Sequence, residues 1–230
     1  ITKIFTRMKK VLFMTLVAAL TFATQSCSNN DEPQKDLVQA VVTVKKNDAG
    51  STYLQIDDNT KAFPTNFKFE KFGKEVRALC VLSDFRESNA TDYACEVEAI
   101  DSIRTKDVVT YQTGMDLSKY GNDPLDIVAS FISVLEDGYL TLHIRSMWGT
   151  TGIKHYLNLI EGVDPDHPEV VELRQDFNGD VPYGALDSYA AFRLKSLANA
   201  KKIIVRYNSV FHGGTHDVVF TRGTALTSVD

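Results

Sequence analysis

The sequence predicts an all-β protein, a small barrel followed by an antiparallel β-sandwich, carried behind an export leader. Three observations support this. The body is rich in Val, Ile, Tyr, Phe and Thr, which favour pleated, half-buried strands. Apolar and polar residues alternate with a period of two over short runs, and Gly, Asp and Asn break those runs into turns. The candidate strands fall into two groups on either side of a polar connector at 106–123.

The leader stands apart in composition. Lys9 and Lys10 follow Met8, an apolar run spans 11–23, and small or polar residues follow, which is the order of a secretory signal peptide. Residues 1–26 are assigned to it, with 1–7 as an upstream extension of the reading frame. An apolar run of that length covers about 20 Å as a helix against a hydrocarbon core of about 30 Å, so a permanent span is not expected.

Two cleavage routes lead to Cys27. Ordinary signal peptidase would use Ser26 and Thr24. A lipoprotein peptidase would use Cys27 itself, although Thr24 and Gln25 depart from the common Leu-Ala-Gly-Cys box. The polar run from Ser28 to Lys35 has no packing signal and reads as a tether, and Asp31-Glu32 resemble a surface-export signal. Residues 27–36 are therefore expected to be a lipidated Cys27 and a flexible tether. The expected location is an outer-membrane lipoprotein, surface-exposed or otherwise facing the periplasm, with the lipid anchor holding it to the membrane.

Charge and cysteines agree with export. The leader holds Lys3, Arg7, Lys9 and Lys10 and no acid, so its removal takes the net charge from −5 to −9. An acidic body repels nucleic-acid phosphates, so nucleic acid is not an expected partner. Three cysteines are an odd number for an exported chain, and giving Cys27 to lipid leaves Cys80 and Cys95 as a couple. A hairpin with a loop at 86–89 would set Cys80 opposite Cys95, Ala78 opposite Val97, Leu82 opposite Tyr93 and Arg77 opposite Glu98. A Cys80–Cys95 disulfide and two buried free thiols both remain open on this register.

The barrel is placed at 37–105, with strands at 38–45, 51–56, 76–85 and 93–103. Asp57-Asp58-Asn59 ends the second strand, and Pro64 is expected to keep the next segment irregular. Closure would remove the exposed edges of so short a set of strands. The sandwich is placed at 106–222 and a disordered tail at 223–230. Asp123 and Pro124 resemble an N-cap and first helical residue, so a short helix or turn is expected from Leu125. Strands are expected at 132–135, 139–148, 153–160, 170–176, 189–194, 202–207 and 217–220. Glu136-Asp137-Gly138 is a turn.

The clearest expectation is a central hairpin of 139–148 and 153–160 about Gly149-Thr150-Thr151-Gly152. It would bury Leu142, Ile144, Leu157 and Leu159 on one face. His143, Arg145, Met147, Lys154 and Tyr156 would line the wet face as a candidate contact patch, since Arg and aromatic residues favour interfaces.

The series Phe72-Gly73-Lys74-Glu75-Val76-Arg77-Ala78, Ile100-Asp101-Ser102-Ile103, Tyr120-Gly121-Asn122-Asp123-Pro124, Glu136-Asp137-Gly138-Tyr139-Leu140-Thr141-Leu142, Trp148-Gly149 and Gly152-Ile153-Lys154-His155-Tyr156-Leu157-Asn158-Leu159 resembles the NigD-like protein family. The resemblance implies an N-terminal OB-like barrel and a C-terminal β-sandwich on an exported lipoprotein. With 76–85 and 93–103 taken as the third and fourth strands, the usual OB helix between them has no room and a loop replaces it. The family's name traces to a bacteriocin gene cluster, with immunity as the suggested role. The family has no accepted active site, so no catalytic residue is carried over.

The remaining motifs point away from catalysis. His155 falls on the inward face as a core imidazole. His212 and His216 bracket a Gly-Gly-Thr hairpin tip, where a spacing of four does not make a ligand pair. His167 sits in a surface turn. Asp176-Phe177-Asn178-Gly179-Asp180 begins like a calcium loop, but Val181 and Asp187 stand where that motif needs Gly and Glu. No catalytic, metal or cofactor residues are assigned. The expected function is a non-enzymatic, lipid-anchored binding or accessory protein, with an unknown protein or glycan as partner and bacteriocin immunity as its narrower form. The alternative is a hydrolase with its active site at the domain junction.

Overall fold

The computed structural model describes residues 35–67, 75–150 and 152–229. The leader, Cys27 and most of the tether lie outside the described residues, as do Phe72-Gly73-Lys74.

Five strands close the first barrel: β1 (Val38–Lys46), β2 (Thr52–Gln55), β3 (Lys61–Pro64), β4 (Val76–Glu87) and β5 (Asp92–Ser102), in the order β1-β2-β3-β5-β4. Alternation along the strands sends Val42, Val44, Leu54, Ala62, Ala78, Cys80, Leu82, Cys95 and Val97 inside. The expectation missed β3. Lys61–Pro64 is a strand parallel to β5, and Pro64 is its last residue, where a missing N–H costs least. The strands expected as third and fourth are thus fourth and fifth, and the third-to-fourth connection lies at 65–75, partly outside the described residues.

The cysteine register is corrected as well. Cys80 stands opposite Ile100, Ala78 opposite Ser102 and Leu82 opposite Val97. The loop sits at 88–91 because the Asn89 carboxamide accepts from the Thr91 and Asp92 N–H groups and fixes the turn there. Irregularities at Val81/Leu82 and Ser83/Arg86, with Asp84 at φ 51°, add the remaining offset. Cys80 and Cys95 are free thiols, and burial pushes them up to about 12 and about 11 respectively.

The second domain comprises β6 (Arg104–Asp107), β7 (Val109–Thr110), β8 (Leu125–Ile127), β9 (Ser130–Glu136), β10 (Tyr139–Trp148), β11 (Tyr156–Glu161), β12 (Val170–Asp176), β13 (Gly184–Arg193), β14 (Lys202–Ser209), β15 (Gly214–Thr221) and β16 (Ala225–Leu226). They form one sheet in the order β16-β9-β10-β8-β14-β12-β11-β7, with β13 beside β10, β6 beside β13 and β15 beside β14. The sheet folds over at β8, so Leu140, Leu142 and Ile144 pack with Leu159, Leu173, Val205 and Phe220 in one core.

Three further expectations change here. β10 and β11 do not form a hairpin: β10 pairs with β8, β9 and β13, and β11 pairs with β7 and β12. The expected helix after Asp123 is strand β8, and the short 3-10 helix lies earlier, at Leu117–Tyr120. Asp123 instead accepts the Phe177 N–H at 2.6 Å. The tail is ordered into β16, which pairs with β9, while Val229 packs on the core.

The domains meet on the outer faces of β1 and β4. Val41, Leu79, Ile103, Ile132 and Ala191 form an apolar contact there. Beside it, fully buried Arg77 donates to Thr43 Oγ1 at 2.9 Å, to Thr141 Oγ1 at 3.1 Å and to Glu136 Oε1. Glu136 and Tyr139 flank the two-residue turn Asp137-Gly138, whose φ angles of 48° and 77° match a tight hairpin turn. Asp137 takes a bond from Lys45 at 2.6 Å and donates its N–H to Asp58 at 2.8 Å, so the turn plugs onto the barrel.

Burial pushes the Glu136 carboxyl up to about 7, against the opposing pull of Arg77. An unfolded Glu titrates near about 4.3, so the folded state binds this proton more tightly. The contribution is complete below the unfolded pKa and is lost as pH rises through about 7. Thermal unfolding at pH 5 and pH 8 should therefore show a loss in the wild type that Glu136→Gln lacks. Parallel pH profiles for the two proteins would contradict this.

Candidate binding surface

The expected patch divides. His143, Arg145 and Met147 share the outer face of β10, whereas Tyr156 begins β11 and Lys154 precedes it, with β8, β14 and β12 between them in the sheet. The outer face of β10 has two zones. Tyr139 and Thr141 are buried under the barrel, and His143, Arg145 and Met147 lie beyond it, half-buried. On β13 the same boundary separates buried Ala191 from exposed Tyr189, Asp187 and Ala185, which stand opposite His143, Arg145 and Met147.

This face is polar but not basic. Arg145 grips Asp187 with two bonds at 2.6 and 2.9 Å, and His143 Nε2 lies 3.1 Å from the same carboxylate. The Arg145 bonds hold the Asp187 carboxyl down to about 2. Tyr189 packs edge-on against His143 at 5.0 Å. Sequence reasoning missed the partner strand, because it began β13 at 189. The exposed residues before it, Val181 and Tyr183 (82% exposed), form an apolar ledge at the end of the face, whereas Leu186, opposite Ser146, lies on the other side of the sheet. The run Tyr183-Gly184-Ala185-Leu186-Asp187-Ser188-Tyr189 mixes apolar and polar residues on both faces, so no period of two marked it as a strand.

Behind the ledge lies an aromatic stack. Trp148 and His155 lie face to face at 3.9 Å, and Phe177 covers the other side of His155 at 4.7 Å. Gln175 Nε2 donates to Ser146 Oγ at 2.7 Å and to His155 Nδ1 at 2.8 Å, so Nε2–H of His155 faces Asp180 at 3.0 Å. The inward position expected for His155 is observed, although its neighbours arrive from the 175–180 segment rather than from a hairpin. The stretch resembling a calcium loop supplies Phe177 and Asp180 to this stack. Gly149 donates its N–H to Asp180 at 2.7 Å, and a Cβ there would meet Asp180 Oδ1 at 2.2 Å. The bond needs a residue without a side chain.

His212 and His216 stack at 4.4 Å across the expected hairpin tip. The His167 N–H bonds Asp164 in its surface turn. No group of three or more His, Cys, Asp or Glu placed for a metal occurs among the described residues. The domain junction holds Glu136 with a raised pKa, but that carboxylate is only 7% exposed and is bonded to Arg77.

Two family models match the chain, the NigD-like N-terminal OB domain over residues 41–103 and the NigD-like C-terminal beta sandwich domain over residues 107–222. Among solved structures, a toxin-related protein from Parabacteroides distasonis is 28% identical with a TM-score of 0.64, covering 81% of this chain and 94% of that one. A protein of unknown function from Bacteroides vulgatus is 20% identical with a TM-score of 0.65, covering 81% and 90%. A NigD-like immunity protein from Bacteroides caccae is 20% identical with a TM-score of 0.54, covering 79% and 91%. No curated protein matches the chain.

Gly149→Ala should cost about 2–3 kcal/mol, through the clash and the lost bond to Asp180. Gly184→Ala, where a Cβ meets nothing within 4 Å, should stay within about 0.5 kcal/mol of wild type. Denaturant unfolding followed by the emission of Trp148, the only tryptophan, measures both. Equal effects would contradict the close approach.

Proposed function

Since the chain belongs to the NigD-like family, we propose that it is an exported, lipid-anchored binding or accessory protein of the outer membrane, without enzymatic chemistry of its own. The observation that carries this is the open outer face beyond the barrel, where His143, Arg145, Met147, Asp187 and Tyr189 stand beside the apolar ledge at Tyr183. Aromatic and Arg side chains held on a rigid sheet suit recognition of a protein or glycan, because little ordering remains to be done on binding. The hydrolase alternative needs an open cleft at the domain junction, and the packing of Glu136 against Arg77 speaks against it. Bacteriocin immunity is the narrower form of the reading, in which the same face meets a secreted toxin outside the cell. It predicts that loss of the gene raises sensitivity to that toxin.

Anchoring rests on Cys27 and the polar tether that follows it. Wild-type protein should fractionate with the outer membrane and incorporate labelled fatty acid. Cys27→Ser should lose the label and leave the membrane fraction. Fatty-acid labelling of Cys27→Ser equal to wild type would overturn the anchor.

A further inference from the structure

We infer that the open half of β13 pairs with the same strand of a second copy, continuing the sheet across a two-fold axis. Among the described residues β6 covers β13 only at 190–193, which leaves 184–189 as a free edge. Exposed edges are usually guarded by Lys, Pro, a bulge or a short length. Residues 183–189 contain no Lys, Arg or Pro, and the β10–β13 register runs without a shift through all ten pairs. The single charge, Asp187, is already neutralised by Arg145 on the same sheet.

The sequence of this edge is close to self-complementary. Centred on Leu186, an antiparallel pairing sets Leu186 against its own copy, Gly184 against Ser188, Ala185 against Asp187 and Tyr183 against Tyr189. Leu186 shares a sheet face with Ser146 and Ile144 yet remains 58% exposed, so a second Leu186 would cover it. Tyr183 is 82% exposed, and it would meet Tyr189 across the strands as an aromatic pair. A slip of one residue on each strand would instead set Leu186 opposite Ser188 and Tyr189 opposite Ala185, losing both the apolar and the aromatic pair. Small residues at 184, 185 and 188 let the backbones approach. A heterologous partner strand would require none of this symmetry, and the symmetry selects a second copy.

Pairing across the edge would join the two outer faces into one surface. The contact is short, and anchoring both copies in one membrane would raise their effective concentration. The pairing does not depend on the anchor, so its test separates from that of lipidation.

The experiment is Leu186→Cys in the full-length exported chain, oxidised mildly and run without reductant. A directly opposed antiparallel pair brings Cβ atoms close to disulfide reach. Cross-linked dimer should exceed that from Val219→Cys, a half-exposed site on the β15 edge, on the order of tenfold. Sedimentation of the unlipidated Cys27→Ser chain should show a concentration-dependent dimer that Leu186→Lys removes. Equal cross-linking at 186 and 219, cross-linking of 186 only to another protein, or a monomer that Leu186→Lys leaves unchanged would overturn self-pairing.

Discussion

Arg77 is the charge around which the two domains are joined. A guanidinium taken wholly out of water is tolerated only when its donors are satisfied and a counter-ion is near. Its three partners come from three different strands: Thr43 on β1, Glu136 on β9 and Thr141 on β10. Satisfying them requires the sandwich to present the Glu136-Asp137-Gly138-Tyr139 turn to the barrel in one orientation. The ring of Tyr139 then meets two cations, with Arg77 at 5.7 Å and Arg193 at 5.5 Å from its centroid. Apolar contacts at Val41, Leu79, Ile132 and Ala191 supply area, and the ion pair supplies the register.

That orientation decides what remains exposed. The barrel covers the outer faces of β10 and β13 as far as Thr141 and Ala191 and stops there. At the far end the Trp148–His155–Phe177 stack ties the end of β10 to the approach of β11 and to the loop after β12. The open face is thus held at one end by a buried charge and at the other by an aromatic stack. A surface fixed at both ends is preordered for binding, which is the property the proposed function requires.

Alternation along the chain made the strands legible, and β12 at 170–176 shows it most clearly. Alternation sets which side chains face inward but not which strand lies alongside. β10 and β11 are consecutive, amphipathic and separated by a glycine-containing loop, so they read as a hairpin. In the structure the chain crosses between the two halves of the folded sheet at that point. The contact patch failed for the same reason: His143, Arg145 and Met147 stayed together, while Lys154 and Tyr156 went to another part of the sheet. The cysteine register turned on one Asn89 side chain and two irregular sites, each too local for a face-by-face pattern to locate. Strands β6, β7 and β16 are too short for any period to register. The sequence pattern pairs Arg77 with Glu98 on the neighbouring strand. Its true partner lies 59 residues along the chain in the other domain, and no cross-strand rule reaches that far.

Calorimetry of wild type and Arg77→Met tests most directly whether this residue joins the domains. Leaving Glu136 buried without its cation should cost about 3–5 kcal/mol. The wild type should unfold in one transition with matching calorimetric and van't Hoff enthalpies. Arg77→Met should split it into separate barrel and sandwich transitions. A single Arg77→Met transition at the wild-type temperature would contradict the account.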